Sequence, residues 1–489
     1  MSKLVLACCA VAASVVIAAA AWGFSRDDDA QVAPRATPSP LATPSPTPAA
    51  PAPPAAGAGL AVGITEFNAN LIAAPDRALP EPWSAARDKL TAVNPAYFRL
   101  VLDWASIQPA ADAPANLDAP NGGCMRALGP CLGYGGVRDQ LRALASRQRA
   151  AREAAVSGGA AAGGGAAAGA GAAAATPGGA AAGAGVEAAS GAGVAAATPG
   201  AAASGAGAAA PGAWQTLVVV ANTPDWAASP AGGCERRGTP PRARPPRADA
   251  LPAYQALIEA VLAAAAKEGA TLSFFSPWNE PNHPAFLSPQ RAVCDPASPS
   301  LAPAAYAQIA TALQQALATA PGDQRLVLGE TAGLMTATPH ATSVPEFIAA
   351  LPRDLVCAST VWSQHAYIGG RDPVDAAAAA LDAFHCPQPH TIWITETGVG
   401  LAPKDLSAGA RRIADPVEGC RALHDQLVRW YDDPRVTVAF QYTLREDDRF
   451  PTGLVSTDLT RDRPALHEWE AWGGTRAPTA SPPPAACTG

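Results

Sequence analysis

The sequence is poor in charged side chains and carries little excess charge of either sign. Only 15% of the 489 residues are Asp, Glu, Lys or Arg, and the formal net charge at pH 7 is −7. No basic patch of the kind that neutralises phosphates is present, so we expect no nucleic-acid partner. The chain also lacks a CxxC pair and an HExxH helix, which argues against a zinc site. A weakly acidic surface suits neutral sugars without requiring them.

Cysteine, in contrast, is not scarce. Of ten cysteines, two lie in the apolar N-terminal segment and the other eight are scattered through the chain. An even number in an exported protein favours disulfides over a metal site, although spacing alone does not give the connectivity. Cys124 with Cys131 is the most local candidate pair, and Cys357 with Cys386 would bracket one helix. The remaining four are Cys234, Cys294, Cys420 and Cys487.

The N-terminal segment, residues 1–24, is typical of an export signal. One lysine precedes a long apolar run, and the small residues Ala18 to Ala21 offer A-x-A cleavage positions. The run is also near the ~20 residues that span a bilayer, so an uncleaved signal-anchor stays open as an alternative. In both cases we expect the body of the chain to be secreted or anchored on the outer face of the cell membrane, and to be a monomer.

Two further stretches are too biased in composition to form a core. Residues 25–59 repeat Thr-Pro-Ser units, which indicate an extended, solvated linker. Residues 157–212 are almost wholly Ala and Gly, and we expect a disordered low-complexity insert without chemistry, because frequent glycine defeats helix formation. A short tail covers 476–489. One folded domain, 60–475, remains, interrupted by the insert.

Eight short apolar runs alternate with helical patterns through this domain. The runs predict strands that begin at Leu60 and Gln215 and that cover 96–104, 272–282, 325–330, 360–367, 391–395 and 436–444. The helical patterns cover 82–93, 137–155, 248–269, 303–320, 343–355, 373–384, 416–431 and 464–472. Apolar strands that alternate with helices indicate an α/β fold with both faces of a parallel sheet covered. We therefore predict a (β/α)8 TIM barrel, which typically takes about 250 residues or more.

In such a barrel the functional groups gather at the C-terminal ends of the strands. Two of the predicted strands end in similar sequences, LSFFSPWNEPN with Glu280 and HTIWITETGVG with Glu396. A Glu held partly out of water has a raised pKa, which would suit Glu280 as an acid. Two carboxyl groups at the ends of two buried strands are what glycoside hydrolysis needs. Glu66 and Glu330 also lie at strand ends, but little in the sequence places them at the site.

These two motifs resemble the signatures of the clan A retaining glycoside hydrolases, which include the family 5 and family 39 enzymes. WNEPN follows the predicted fourth strand and ITETG the seventh; Arg99, the PDW of Pro224 to Trp226, and the H-x-Y of His365 and Tyr367 match as well. The resemblance runs from about residue 60 to 472, apart from the insert. It implies a retaining β-glycosidase that hydrolyses O-glycosidic bonds of a polysaccharide or glycoconjugate by double displacement. It requires neither a metal ion nor an organic cofactor.

Site roles follow from the same resemblance, position by position. It implies that Glu280 is the acid/base and Glu396 the nucleophile, while Asn279 would bond the sugar 2-hydroxyl. Arg99 and Tyr367 would keep Glu396 ionised and oriented. His365 would line the site near the acid. Retention requires the two carboxyl groups to lie about 5–5.5 Å apart, which opposed barrel strands can supply.

The aromatic residues of the site follow the clan less closely. The clan usually places a Trp after the eighth strand, where this sequence reads FQYTLREDD, so Phe440 or Tyr442 would replace it. Trp226 and Trp278 are candidate sugar contacts, or ordinary packing. Trp393 lies inside its strand and is expected in the core.

Several alternatives remain open at the level of sequence. The same residues would support transglycosylation, and long loops favour endo action. Arg99 could instead neutralise Asp103, and His283 could lie in a solvated loop rather than contact a sugar. A different class of function is a non-catalytic carbohydrate-binding barrel at the cell surface, although a binding module needs neither carboxylate.

Overall fold

The computed structural model describes residues 59–119, 136–164, 214–400, 413, 415–447, 450–473 and 481–487, without the side chains of 155–164. The predicted signal or anchor, nearly all of the linker, most of the Ala/Gly insert and the Cys124–Cys131 candidate pair lie outside these residues. Within the described ranges, none of the helices combines the length and the apolarity that crossing a membrane would take.

Parallel strands form the centre of the described domain. In chain order they are β1 Ala61–Thr65, β2 Tyr97–Asp103, β3 Gln215–Ala221, β4 Phe274–Ser276, β5 Arg325–Leu326, β6 Leu328–Thr331, β7 Val361–His365, β8 Thr391–Thr397 and β9 Val436–Tyr442. The order in the sheet is β5-β4-β3-β2-β1-β9-β8-β7-β6, and every pairing between neighbours is parallel. The predicted (β/α)8 barrel is confirmed.

The barrel closes through one interrupted strand. The predicted strand 325–330 is divided into β5, which pairs with β4, and β6, which pairs with β7. Between them, Val327 donates its N–H to the carbonyl of Phe275 at 2.8 Å. Gly329 follows with φ +105°, where a Cβ would lie 2.2 Å from the carbonyl oxygen of Ser363, so only glycine fits. This irregularity changes the direction of the chain immediately before Glu330.

Helices cover the outside of the barrel. They are α1 Trp83–Val93, α2 Trp104–Ile107, α3 Gly136–Gly164, α4 Leu251–Glu268, α5 Ala302–Thr319, α6 Val344–Ala349, α7 Arg353–Val356, α8 Val374–Asp382, α9 Pro416–Asp432 and α10 Pro464–Trp472. Two differences from the prediction stand out. The helix expected over 343–355 is two short helices, α6 and α7. In addition, α3 continues to Gly164, so the expectation of a loop from residue 157 is wrong at its N-terminal end.

The interior of the barrel is packed with side chains rather than open. Leu217, Val219, Phe274, Val327, Trp393, Val438 and Phe440 form a cluster inside the strands, apart from the larger core between strands and helices. Trp393 is 4% exposed and lies 5.1 Å from the ring of Tyr97, so its predicted place in the core is confirmed. Because the interior is filled, it is a packed core rather than a channel, and a site has to lie beyond it at the C-terminal ends of the strands.

Disulfides fasten three places of the described structure. Cys357–Cys386 brackets α8, as the sequence suggested, and Cys234–Cys294 and Cys420–Cys487 are two further pairs. The last of these holds the C-terminal tail against α9. The spacing of the cysteines did not specify these two pairs, because their partners are 60 and 67 residues apart.

Candidate active site

The two glutamates of the sequence motifs meet at the C-terminal end of the barrel. Glu280 follows β4, and Glu396 is the penultimate residue of β8. One carboxylate oxygen of each, together with one ring nitrogen of His365, lies within 4.8 Å of the others. Each glutamate is 7% exposed. Two strands that are far apart in the sequence therefore bring a pair of nearly buried carboxyl groups into one cluster.

Glu396 is surrounded by the donors that the sequence predicted for it. Arg99 Nη1 lies 2.8 Å from Oε1, and the Tyr367 hydroxyl donates to Oε2 at 2.6 Å. Burial raises the pKa of Glu396 above its ordinary value, and the charge of Glu280 adds to this; His365 and Arg99 oppose the rise. The arginine and the hydroxyl thus orient the carboxylate and reduce, without cancelling, the effect of its burial.

The electrostatics of Glu280 differ from the prediction. Burial raises its pKa, but the hydrogen bond and charge of His365, together with the charges of His283 and Arg99, outweigh burial, so the pKa lies below its ordinary value. His365 Nδ1 is 3.0 Å from Oε1, and His283 Nδ1 is 4.0 Å from Oε2. The sequence prediction of a raised pKa for Glu280 is wrong, because it considered burial but not a histidine as a direct partner.

Arg99 binds three groups at the floor of the site. Its Nη2 donates to Asn279 Oδ1 at 2.7 Å, its Nη1 pairs with Glu396, and its Nε donates to Glu330 Oε2 at 3.2 Å. The arginine is fully buried. The alternative in which Arg99 neutralises Asp103 is not observed: the Asp103 side chain accepts from the N–H of Ser106 at the start of α2. The side-chain oxygen of Asn279 accepts the hydrogen bond from Arg99, so its amide N–H groups are the ones that can donate to a sugar hydroxyl.

Glu330 also lies in the site, although little in the sequence indicated it. It lies at the irregular end of β6 with φ +54°, and its carbonyl accepts the N–H of Glu280 at 2.8 Å. Its Oε2 contacts Arg99 and His365 Nε2, the latter at 3.1 Å, and its Oε1 accepts from Ser363 Oγ at 2.6 Å. A Gly-Glu pair at the end of an apolar run was the available signal, since glycine marks a break in a strand.

The groups that face His365 directly are mostly carboxylates. Burial raises the pKa of Glu330, but Arg99 and His365 more than offset it and hold the pKa at about 2. Burial lowers the pKa of His365, whereas the carboxylates of Glu396, Glu280 and Glu330 together raise it to about 10. Three carboxyl groups therefore face His365, and Arg99 is the cation that contacts two of them. Strongly shifted pKa values such as that of His365 cluster at functional sites.

Glu66, the other strand-end glutamate, has a structural environment. It is 3% exposed, and its carboxylate accepts backbone N–H groups of Phe67, Asn68 and Arg445 at 2.8, 2.9 and 3.0 Å. Burial raises its pKa, against the effect of these hydrogen bonds. Glu66 thereby fastens the segment after β9 to the end of β1.

The aromatic candidates divide into core and rim. Trp278 is fully buried and its indole N–H donates to the carbonyl of Phe286 at 2.8 Å, so it is a core residue and not an exposed sugar contact. Trp226 is half-buried, with its indole N–H on the carbonyl of Gln108 at 2.9 Å. Of the two replacements for the usual Trp, Phe440 fills the barrel interior, which leaves the half-buried Tyr442.

Tyr442 belongs to an aromatic rim that the sequence did not indicate. Its ring makes edge contacts with Phe67 and Phe450, at centroid distances of 6.1 and 5.6 Å. Phe450 in turn contacts the ring of Tyr367 at 4.9 Å. The rim therefore runs from the end of β1 to the tyrosine that bonds Glu396.

A divalent cation is the alternative occupant to consider for this cluster. Glu280, His365 and Glu396 could each offer one ligand atom. The three carboxylates that face His365 favour its imidazolium form, however, which has no lone pair to donate to a metal. A second group, Cys420, Glu468 and Cys487, has its two sulfurs joined in a disulfide, so it provides no thiolate.

The fold and the site together define a parallel α/β barrel with a carboxylate pair at the C-terminal ends of its strands. No protein-family model and no curated protein sequence matches the chain. Among solved structures, it is similar to SrfJ from Salmonella typhimurium, at 8% identity and a TM-score of 0.46, over 87% of this chain and 75% of that one.

Two further solved structures carry names of glycoside hydrolases. One is a GH39 β-xylosidase from Caulobacter crescentus, with 13% identity, a TM-score of 0.44, and coverage of 84% of this chain and 70% of that one. The other is the catalytic domain of a mannanase from Streptomyces sp. SirexAA-E, with 12% identity, a TM-score of 0.39, and coverage of 86% and 88%. At such identities and TM-scores, the function has to be argued from the site.

Proposed function

We propose that this protein is a retaining β-glycosidase that hydrolyses O-glycosidic bonds of a polysaccharide or glycoconjugate by double displacement. The observation that carries the proposal is the closeness of Glu280 and Glu396, whose nearest carboxylate oxygens lie within 4.8 Å. Retaining enzymes hold their two carboxyl groups about 5–5.5 Å apart, whereas inverting enzymes need about 6.5–9.5 Å to admit a water molecule. The separation favours a nucleophile over a base that activates water.

In this mechanism Glu396 attacks the anomeric carbon while Glu280 gives the departing oxygen a proton, which it shares with His365 Nδ1 across their 3.0 Å contact. The bond from the anomeric carbon to the leaving group breaks, and a bond from that carbon to a Glu396 oxygen forms. Glu280, now ionised, takes a proton from the incoming water, whose oxygen replaces Glu396 on the sugar. Arg99 and Tyr367 orient Glu396 for attack through their contacts of 2.8 and 2.6 Å. Asn279 offers its amide N–H groups to the 2-hydroxyl.

The partner is thus a carbohydrate, with Tyr442 as the platform under the reactive sugar and the half-buried Trp226 as a second aromatic contact. We further propose that the enzyme cleaves bonds within its substrate chains, which is endo action. We also propose that the protein is a monomer that is secreted or anchored on the outer face of the cell membrane. Transglycosylation would use the same residues, with a sugar hydroxyl in place of water.

Two substrates with different leaving groups test the role of Glu280. Parent and the variant Glu280→Gln are assayed on an aryl β-glycoside with a nitrophenolate leaving group and on a disaccharide of the same sugar. We expect a far larger loss of kcat/KM on the disaccharide, because only its poor leaving group needs a proton from the acid. Equal losses on both substrates would remove Glu280 from this role.

A glycan panel digested by the parent, with products sized by mass spectrometry, determines the sugar and separates endo from exo action. Proton NMR of the first-formed anomer determines retention. An inverted first product contradicts the proposal. Binding without any turnover across the panel would instead favour a non-catalytic carbohydrate-binding barrel.

A further inference from the structure

We propose that Glu330 is a positioning residue that keeps the Nε2 of His365 as a hydrogen-bond donor and thereby makes Nδ1 the proton partner of Glu280. The inference rests on the proposed function, since it assigns Glu280 the acid/base role. It adds a third carboxylate, on a strand that carries neither of the two glutamate motifs.

The tautomer follows from the contacts of Glu330. Its Oε2 faces the guanidinium of Arg99, with Nε at 3.2 Å, and its Oε1 accepts from Ser363 Oγ at 2.6 Å. A carboxylate beside a buried guanidinium stays ionised and can only accept hydrogen bonds. His365 Nε2, 3.1 Å from Oε2, must therefore carry its hydrogen.

The other ring nitrogen is then committed to Glu280. Nδ1 lies 3.0 Å from Glu280 Oε1 and 3.4 Å from Glu396 Oε2, so the shorter contact is to the proposed acid/base. Between Nδ1 and Oε1 the proton can reside on nitrogen, as an ion pair, or on oxygen, as a neutral pair. The fully buried ring of His365 exchanges that proton with Glu280 rather than with bulk water.

Charge balance explains why Glu330 affects this proton. Glu280, Glu330 and Glu396 face His365 directly, and Arg99 is the cation that contacts two of them. Tyr367 and Tyr442 adjoin Glu396, and His283 lies 4.0 Å from Glu280. A nearby negative charge favours every added proton, so removing Glu330's charge lowers both macroscopic pKa values of the Glu280–His365 pair.

The test compares Glu330→Gln with the parent in two measurements. The amide keeps the shape and an oxygen for Arg99 and His365, while it removes the charge and turns its NH2 toward Ser363 Oγ, which can accept. Side-chain nitrogen NMR of 15N-labelled protein, recorded through pH 10 and above, should show the neutral His365 ring of the parent as the Nε2–H tautomer, and a His365 pKa lower by about one unit or more in the variant. The alkaline limb of kcat/KM should move to lower pH by a similar amount.

Glu468→Gln is the matched control. Glu468 is also fully buried and bonds a histidine, His424, at 2.8 Å, but it lies outside the site. This variant should leave the His365 titration and the alkaline limb unchanged. Should Glu330→Gln fail to fold, the parent alone still decides the tautomer.

The two proposals fail differently. An Nδ1–H tautomer in the parent, or a His365 titration that is the same in Glu330→Gln, overturns the role of Glu330 even if the protein hydrolyses glycans. A parent without hydrolytic activity but with the expected NMR titration would instead leave the His365–Glu330 pairing standing and remove the glycosidase proposal.

Discussion

Among the described residues, Glu468 and the cluster around His365 both pair a buried glutamate with a histidine, but in very different surroundings. Glu468 accepts from His424 Nδ1, from Trp472 Nε1 at 2.7 Å and from the N–H of Ala486 at 2.8 Å. His365, in contrast, lies among three carboxylates with its side chain fully buried. Glu468 has a donor from each neighbouring element, whereas the cluster around His365 gathers more carboxylates than folding alone would favour.

This difference separates a structural pair from a functional one. The Glu468 pair joins α9, α10 and the C-terminal tail, which the Cys420–Cys487 disulfide also holds. It stabilises the fold through satisfied hydrogen bonds. The His365 cluster keeps unbalanced charge at the open end of the barrel, where a substrate with developing positive charge would stabilise it.

The sharpest way to separate the two pairs is to remove the charge of Glu396. In Glu396→Gln we expect kcat to fall by about 10⁴-fold or more, because the amide cannot form the glycosyl-enzyme. Hydrolysis of an aryl β-glycoside measures the loss, and circular dichroism checks that the fold is retained. Activity at the parental level in this variant would sink the double-displacement mechanism.

The structural pair should respond in stability instead. In Glu468→Leu the buried N–H groups of Trp472 and Ala486 lose their acceptor, which should lower the free energy of unfolding by about 3 kcal/mol. Urea unfolding measures this change. At 25 °C the folded variant should keep the parental kcat/KM. A loss of activity without a loss of stability would contradict the structural role of Glu468.

Removing the hydroxyl of Tyr367 tests whether it orients Glu396. Tyr367→Phe removes the donor at 2.6 Å from Glu396 Oε2. A hydrogen bond to a charged group contributes about 1.5–3 kcal/mol, so kcat/KM should fall by roughly 10- to 100-fold. The assay is the same aryl glycoside, and unfolding in urea is the control. An unchanged kcat/KM would mean that Tyr367 does not orient the nucleophile.

The smallest effect is the pH dependence of stability. The pKa of His365 is raised from 6.5 to about 10, so its stabilising contribution is complete below pH 6.5 and is lost as pH rises through about 10. Relative to His365→Gln, the parent should lose at least about 1.4 kcal/mol over this interval, equivalent to one pKa unit. His424→Gln is the comparison variant, and equal slopes in the parent and His365→Gln would contradict the shift.

Much of the barrel could be predicted from sequence because its elements are local. The apolar run TIWITET becomes β8, buried at every position, and the spacing of apolar residues in 416–431 marks α9 closely. The predicted strand 325–330 failed as a single element because its first residues pair with β4 and its last residues with β7, a change of partner at Val327 that the local sequence does not signal. Helix α3 extends beyond its predicted end at residue 155, into the Ala/Gly-rich stretch where alanine favours the helix and glycine opposes it.

The candidate site was predictable only in part. Glu280, Glu396, Arg99, His365 and Tyr367 lie together as the motifs indicated. Trp278 does not, because a tryptophan beside a catalytic motif looks the same in sequence whether its ring packs inward or faces the substrate. The rim residues Phe67 and Phe450 carried no pattern at all, since their contacts join segments distant in the chain.

The sequence by itself determined the alternation of strands and helices and the two carboxylates at strand ends, because periodicity and turn residues act over short distances. Only the tertiary structure decided the electrostatics of those carboxylates. Whether Glu280 has a raised or a lowered pKa depends on His365, 85 residues away, whose own proton depends on Glu330, on yet another strand. Desolvation and Coulomb interactions depend on distance in space, and closure of the barrel sets that distance.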